Sequence, residues 1–328
     1  MSELWLAWLA ILAGFGGLIW SADRFVGGSA AIASNFGISR LIVGLTIVSL
    51  GTSAPEIVVS ISASLKGTGE LAVGNALGSN LANIGLVLAI TALIAPMPIQ
   101  KHLLTQEVPI LLLVTAAAGF MLYDAQLVAL EGALLLASLI PLLYFMIRTK
   151  QNNPSDEGDE EDSEIPDMSS GIATVWFVIG LSALIASSEA LVWGAQIVAT
   201  SFGVSPLIIG LTVIAVGTSL PELAASVMSA LKGHHDMALG NIIGSNIFNI
   251  LAVMSLPGLI HPPQMDESVF NRDFLAMGGV TLLLAGAIAV DYWLRNRQSE
   301  GNGTARLGRR IGLLLLASYI SYYYLLFS

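Results

Sequence analysis

The chain has 328 residues and a net charge of -10, yet only 11% of its residues are charged and 55% are hydrophobic. A soluble domain is about 25% charged, so this composition, with a mean hydropathy of +0.79, argues for a protein embedded in a bilayer. The chain has no cysteine, which excludes disulfides, thiolate metal sites and cysteine nucleophiles. Most of the negative charge lies at 156–167 and says little about binding partners.

Apolar runs long enough to cross the hydrocarbon core, about 20 residues each, recur along the chain. The first begins at once and lacks a basic leading segment, so we expect a true span and not a cleaved signal. We predict an all-α integral membrane protein with a first five-helix repeat at 1–148, an acidic linker at 149–170 and a second five-helix repeat at 171–328. The ten predicted transmembrane helices are 4–22, 40–65, 71–95, 103–122, 126–147, 171–192, 206–231, 237–260, 272–291 and 309–327.

The two halves are sequence repeats. Gly-Thr-Ser-Ala-Pro-Glu at 51–56 returns as Gly-Thr-Ser-Leu-Pro-Glu at 217–222, an offset of 166 residues. The same offset, without a gap, aligns Gly-Asn-x-x-Gly-Ser-Asn at 74–80 with 240–246. About half of the positions between Gly37 and Ile84 are identical to their partners. One register held through so many polar residues indicates an internal duplication.

Basic residues predict the orientation, because cytoplasmic loops near span ends are enriched in Lys and Arg. With an external N-terminus, only Lys66 and Arg272 lie outside. Both termini are then external and the linker is cytoplasmic. Five spans per repeat make the second repeat enter from the opposite side, an inverted arrangement that secondary transporters use to bind substrate near the midplane. The inside set is Arg24, Arg40, Lys101, Arg148, Lys150, Lys232, Arg295, Arg297, Arg306, Arg309 and Arg310.

The repeated motifs place oxygen-bearing side chains inside apolar spans. Intramembrane carboxylates are costly and usually functional. A four-residue spacing puts Thr52 and Glu56 on one helix face, and Thr218 and Glu222 likewise. The prolines beside the acids cannot donate a backbone hydrogen bond, so carbonyls one turn earlier are expected to be free. The following spans carry polar stripes at Asn75, Ser79 and Asn83, and at Asn241, Ser245 and Asn249.

Two carboxylates with hydroxyls, amides and carbonyls, and no basic residue nearby, form a ligand set suited to hard cations such as Ca²⁺. One Ca²⁺ or two Na⁺ cancel the charge of -2, and a third Na⁺ leaves +1. Asp23 and Glu189, which the repeat pairs, are read as structural or interfacial residues. The linker lacks the ligand order of an EF-hand, so we expect no regulatory Ca²⁺ sensor there.

The doubled motif resembles the pair of α-repeats of the Na⁺/Ca²⁺ exchangers, in the cation/calcium exchanger superfamily, and the likeness covers nearly the whole chain. The resemblance implies alternating access, with Glu56 and Glu222 as central Ca²⁺ ligands. Asn83 and Asn249 depart from relatives that carry an aspartate in one of these places, which makes a K⁺-dependent mode less favoured. The other implied ligands are the side chains of Thr52, Ser53, Ser79, Thr218, Ser219 and Ser245, and the backbone carbonyls of Ser49 and Ala215.

The expected activity is therefore secondary antiport of Na⁺ for Ca²⁺ in a prokaryotic cytoplasmic (inner) membrane. Ca²⁺ and Na⁺ are expected to bind as transported substrates, with no separate cofactor, no nucleic acid and no implied protein partner besides the lipid bilayer. Two alternatives stay open: a Ca²⁺/H⁺ antiporter that protonates the same two carboxylates, and a passive cation channel. An enzyme is disfavoured because the sequence shows no nucleophile–base pair, His-rich metal motif or phosphate loop.

Overall fold

Helices make up nearly all of the chain in the computed structural model, which describes residues 2–152, 168–203, 215–298 and 305–327. A short antiparallel ribbon of β1 (Met97–Ile99) and β2 (Ala305–Leu307) ties the middle of the first half to the end of the second. The helices are α1 (Ser2–Phe36), α2 (Arg40–Thr52), α3 (Ala54–Leu65), α4 (Gly69–Ile94), α5 (Leu103–Leu122), α6 (Ala129–Asn152), α7 (Ser170–Ser201), α8 (Ala215–Thr218), α9 (Leu220–Leu231), α10 (His235–Ile260), α11 (Val269–Arg297) and α12 (Arg309–Phe327).

Seven of the described helices are long and apolar enough to cross a membrane, or eight if the bent pair α2 and α3 is one span. The chain is thus a mostly helical, multi-pass membrane protein. The start of the predicted seventh span, 206–214, lies outside the described residues, and the span ends in α9, a helix of 12 residues. Most of the predicted linker, at 153–167, also lies outside them. The count of ten spans stays a prediction.

The first and sixth predicted spans are longer than the sequence suggested. α1 continues past the predicted end at 22 to Phe36, and Asp23 inside it forms an ion pair with Lys232, 2.7 Å from carboxylate oxygen to ammonium nitrogen. The helix ends before Gly37, whose φ of +62° suits glycine. α7 likewise runs to Ser201 and is followed by Gly203 with a φ of +79°.

The two longest helices, α1 and α7, pack on each other through glycines. A Cβ atom added at Gly14 would lie 2.8 Å from the Ser187 carbonyl oxygen, and one at Gly180 would lie 2.5 Å from the Phe25 nitrogen. Gly14 and Gly180 are 166 residues apart, so the same close approach is built twice. Larger side chains at these positions would push the two backbones apart.

Helices α4 and α10 form the centre of the protein. Of their most apolar windows, 72% and 83% are buried, against 22% for α1 and 17% for α7. The backbone of α10 touches α2 directly: a Cβ at Gly240 would lie 2.7 Å from the Leu41 carbonyl oxygen, and one at Gly244 would lie 2.6 Å from that of Leu45. This central position holds the motif residues of α10 against the end of α2.

Each Gly-Thr-Ser-x-Pro-Glu motif interrupts a helix. The backbone leaves helical geometry at Ser53 (φ -82°, ψ 9°) and at Ser219 (φ -89°, ψ 5°), and the axes of α2 and α3 differ by 45°. The proline then stands in the first turn of the next helix, where its missing N–H costs little. α4 and α10 each widen to π-helical geometry, at Asn83–Leu88 and Asn249–Val253, and such widening frequently marks functional sites.

Candidate functional site: two buried carboxylates

Glu56 and Glu222 lie in the first turn of the helices that follow the two breaks, and each is 1% exposed. The N-terminal turn of a helix favours negative charge through its free N–H groups and dipole, so the break gives each carboxylate a favourable position. No Lys, Arg or His forms a salt bridge with either acid in the part of the chain that the structure describes. Burying two unneutralised carboxylates is strongly unfavourable, so the pair requires a compensating cation or protons.

Hydroxyl groups cross from each half to the acid of the other half. The Ser53 hydroxyl donates to Glu222 Oε1 at 3.0 Å, and the Thr218 hydroxyl hydrogen-bonds to the Glu56 carboxylate. Ser79, on α4, reaches Glu56 Oε1 at 3.5 Å. The two motifs therefore build one site between them and not two separate ones.

Asparagine side chains brace the backbone on which the acids stand. Asn75 Nδ2 donates to the Glu56 carbonyl oxygen and Asn241 Nδ2 to the Glu222 carbonyl oxygen, both at 3.4 Å. Asn241 also accepts a hydrogen bond from the Thr52 hydroxyl at 3.1 Å, which joins α2 to α10. These contacts indicate that Asn75 and Asn241 brace the backbone that carries the two acids.

Many buried polar atoms at the site have no hydrogen-bond partner among the described residues. Buried polar groups are nearly always hydrogen-bonded, so a cluster of exceptions indicates a ligand. Ten of the 14 such atoms in the described chain belong to the repeated motifs. They are Glu56 Oε2, Glu222 Oε2, Asn80 Oδ1, Asn246 Oδ1, Ser219 Oγ, Ser245 Oγ, and both amide atoms of Asn83 and of Asn249. Eight of the ten are oxygens, the atoms that hard cations prefer.

The carbonyls near the prolines are only partly free. The Ser49 carbonyl, an implied ion ligand, accepts from the Ser53 N–H at 3.0 Å and from the Thr52 hydroxyl at 3.3 Å. In the second half the Ser219 N–H bonds to the Val216 carbonyl at 3.1 Å, so the Ala215 carbonyl does not receive the matching bond. The two implied carbonyl ligands thus differ in the hydrogen bonds that they accept in this conformation.

Ser188 makes a hydrogen bond that the sequence motifs did not predict. Pro221 removes the helical donor for the Gly217 carbonyl, and the Ser188 hydroxyl of α7 supplies a replacement at 2.8 Å. The repeat pairs Ser188 with Ala22, so the first half has no equivalent hydroxyl. The only sequence signal was a small polar residue beside Glu189 in an apolar helix.

A cavity of about 410 Å³ reaches the motif from one side. It is lined by Pro55 and Val58 of α3, by Val192 of α7, and by Gly217 and Thr218. Thr218 contacts Glu56, so the cavity leads to a residue that touches the carboxylate pair.

The structure brings most of the predicted ligands together. Glu56, Glu222, Ser53, Ser79 and Thr218 are joined by direct hydrogen bonds to a carboxylate. The remaining predicted side chains, in the same motif stretches, are buried at 0–1% exposure: Thr52, Asn83, Ser219, Ser245 and Asn249. Their role as ion ligands stays a prediction, as does that of the Ser49 and Ala215 carbonyls.

Comparisons with known proteins identify the family of the chain. A family profile described as sodium/calcium exchanger protein matches residues 6–148 and 172–328. The chain is 46% identical to CaxA of Alkalimonas amylolytica, named as a candidate antiporter, over 98% of this chain and 99% of that protein. It is 39% identical to the inner membrane protein YrbG of Escherichia coli over 96% and 95% of the two chains. The sodium-calcium exchanger NCX_Mj, soaked with zero Na⁺ and Ca²⁺, superimposes with a TM-score of 0.80 at 30% identity, covering 98% of this chain and 99% of that one.

The profile omits only the first residues and the region of the acidic linker, so the match spans both halves and both carboxylate motifs. The similarity is present in the sequence and in the three-dimensional structure. The chain is therefore a member of the sodium/calcium exchanger protein family.

Proposed function

We propose that the protein is a secondary active antiporter that exchanges Na⁺ for Ca²⁺ at one site between its two halves, by alternating access. The observation that carries this proposal is the pair of buried carboxylates surrounded by oxygens without protein hydrogen-bond donors. Glu56 and Glu222 would be the central ligands, and the hydroxyls and amides of the four motif stretches would complete the coordination. Family membership supports the same two ions.

The proposed architecture has ten spans in two inverted repeats, 1–148 and 171–328, joined by the linker 149–170. Matched features of the two halves support the repeat: Gly37 and Gly203, and Gly67 and Gly233, all have positive φ and are 166 residues apart. In this arrangement the linker is cytoplasmic and both termini are external, in a cytoplasmic membrane. That one relative is named an inner membrane protein supports this location.

Obligatory exchange has a physical reason at such a site. Moving an empty site would carry two buried charges through a low-dielectric region, which is costly. One Ca²⁺ or two Na⁺ neutralise the pair, and a third Na⁺ leaves a single positive charge. The ion-loaded forms can thus switch the side of the membrane to which the site opens, whereas the empty form is prevented from switching by the cost of its two buried charges. α1 and α7, which pack mainly on each other at the edge of the protein, would slide across the core of α2–α4 and α8–α10.

The test is Ca²⁺ uptake into Na⁺-loaded proteoliposomes diluted into Na⁺-free buffer at fixed pH with a protonophore. We expect uptake that requires internal Na⁺, disappears in Glu222→Gln and persists in Glu131→Gln. Glu131 accepts a hydrogen bond from the Val128 N–H outside the site, so it controls for the loss of a charge. Retained uptake in Glu222→Gln would overturn the site.

The same vesicles, assayed without the protonophore, separate the alternatives. Uptake that ignores Na⁺ but follows an imposed pH gradient would indicate Ca²⁺/H⁺ antiport through the same two carboxylates. Uptake that never exceeds the equilibrium set by the Ca²⁺ gradient and membrane potential would indicate a passive channel, because only a coupled carrier concentrates its ion. The hydroxyl and amide oxygens favour Na⁺, since a proton needs only a carboxylate.

A further inference from the structure

Two regions that the repeat makes equivalent differ in this structure. Between α3 and α7 lies the cavity described above, lined by Val58, Val59, Ser188, Val192 and Gln196. The residues that the repeat offset pairs with these lie on α1 and α9 and pack against one another in an apolar cluster. They are Ala224, Ala225, Ala22, Val26 and Ala30.

An ion pair accompanies the closed arrangement. Asp23 of α1 and Lys232, the residue after α9, are 2.7 Å apart between carboxylate oxygen and ammonium nitrogen. The Lys232 ammonium also donates to the Asp23 carbonyl oxygen at 3.0 Å. The two contacts fasten the middle of α1 to the C-terminal end of α9, the helix that carries Glu222 in its first turn.

The equivalent pair on the open side is apart. The repeat matches Asp23 with Glu189 and Lys232 with Lys66, which preserves the sign of both charges. Glu189 and Lys66 are both exposed, and neither forms an ion pair within the described part of the chain. Glu189 lines the cavity between α3 and α7, and Lys66 directly follows α3.

We propose that Asp23–Lys232 and Glu189–Lys66 are two alternating latches, of which one forms in each of the two access states. In the state seen here, the first latch holds α1 on α9 while α7 stands away from α3. In the opposite state, α7 closes on α3, Glu189 reaches Lys66, and the first pair separates. These residues position the gate helices and do not bind the transported ions.

The strength of these contacts suits the role. Asp23 and Lys232 are partly exposed, with 42% and 27% of their side-chain surfaces accessible, and such pairs bias an equilibrium by no more than several-fold. A latch of this strength can be broken in every cycle. Because the two latches use the same charges, gaining one offsets losing the other, and neither traps the protein.

Cysteine accessibility tests the proposal directly, since the natural chain has no cysteine. Gln196→Cys reports the open cavity, and Ala30→Cys, its partner by the repeat, reports the opposite side. Each would be labelled with a membrane-impermeant maleimide in right-side-out and inverted vesicles. We expect Lys232→Gln to slow labelling at residue 196 and speed it at residue 30, several-fold in each case, and Lys66→Gln to do the reverse.

Two further variants separate a latch from a general loss of stability. Asp23→Lys combined with Lys232→Asp should restore both labelling rates, whereas either single change should not. Lys101→Gln, an exposed basic residue elsewhere, should leave both rates unchanged. Changes in the same direction for Lys232→Gln and Lys66→Gln, or changes no larger than those of Lys101→Gln, would overturn the proposal.

The inference rests on the alternating access of the proposed function but not on the identity of the ions. Reciprocal labelling without Na⁺-driven uptake would support the two latches and refute the assignment of Na⁺ as the exchanged ion. Na⁺-driven uptake that depends on Glu222, without reciprocal labelling, would refute the two latches and leave the proposed function intact.

Discussion

Replacing Glu222 by Gln removes one of the two negative charges at the site while keeping the shape of the side chain. At an effective dielectric constant of about 20, two unit charges about 4 Å apart interact by about 4 kcal/mol, and a divalent ion doubles this. Desolvation offsets much of the gain. Removing one partner from a buried charge pair costs about 3–5 kcal/mol in practice. Ca²⁺ affinity should therefore fall by a factor of about 100 or more.

The loss should be smaller for Na⁺, because a monovalent ion has half the electrostatic interaction with the missing charge. Calorimetric titration of the purified protein with each ion measures the two affinities, and Glu131→Gln is the matched control outside the site. The variant itself should fold, since Gln removes a costly buried charge: its thermal unfolding midpoint without ions should be at least that of the wild type. Ca²⁺ affinity within threefold of the wild type, in a folded variant, would refute the assignment of Glu222 as a central ligand.

Four other outcomes are expected. Gly240→Ala should lower the free energy of unfolding by about 1–3 kcal/mol, because its Cβ would lie 2.7 Å from the Leu41 carbonyl oxygen. Gly279→Ala, where a Cβ would have no described atom within 4 Å, should not lower it. Thermal unfolding in detergent measures both effects. Burial, aided by the charges of Arg40 and Lys232, lowers the pKa of His234 to about 4, so His234 stays neutral in the folded protein above that pH. The free energy of unfolding should therefore fall as the pH drops from about 6.5 towards 4, and it should fall less in His234→Gln. Deleting residues 154–167 should leave the Ca²⁺ dependence of uptake unchanged; a marked change would revive a sensor role. If three Na⁺ exchange for one Ca²⁺, an inside-negative potential should slow Na⁺-driven Ca²⁺ uptake, whereas a two-for-one exchange would not respond.

The sequence predicted the repeated elements well because the repeat itself carries the information. The predicted spans 40–65 and 206–231 ran through Ser53 and Ser219, where the prolines account for the observed breaks, and the π-helical turns at Asn83 and Asn249, which were not predicted, begin at matched residues. The burial of both carboxylates followed from their place in apolar spans. These are local or twofold-repeated signals, which one chain displays without any partner.

Contacts between distant residues were not visible in the same way. The first span was predicted to end at 22, and Asp23 was interpreted as a structural or interfacial residue. Its partner Lys232 is 209 residues away, and nothing local to Asp23 points to it. The Ser188 contact with Gly217 was missed for a similar reason: it fills the place of a hydrogen bond that Pro221 removes on another helix.

The differences between the halves are confined to packing and hydrogen bonding, since the motif residues are nearly identical. Ser53 bonds to the Ser49 carbonyl, whereas Ser219 bonds to that of Val216; α1 lies on α9, whereas a cavity separates α7 from α3. The two arrangements related by the repeat are expected to have similar free energies, because a contact broken in one half, such as the Asp23–Lys232 ion pair, has an equivalent pair of charges in the other half. Two states of similar free energy are what a carrier needs, since the ions bound at the shared carboxylates can then decide which movements occur.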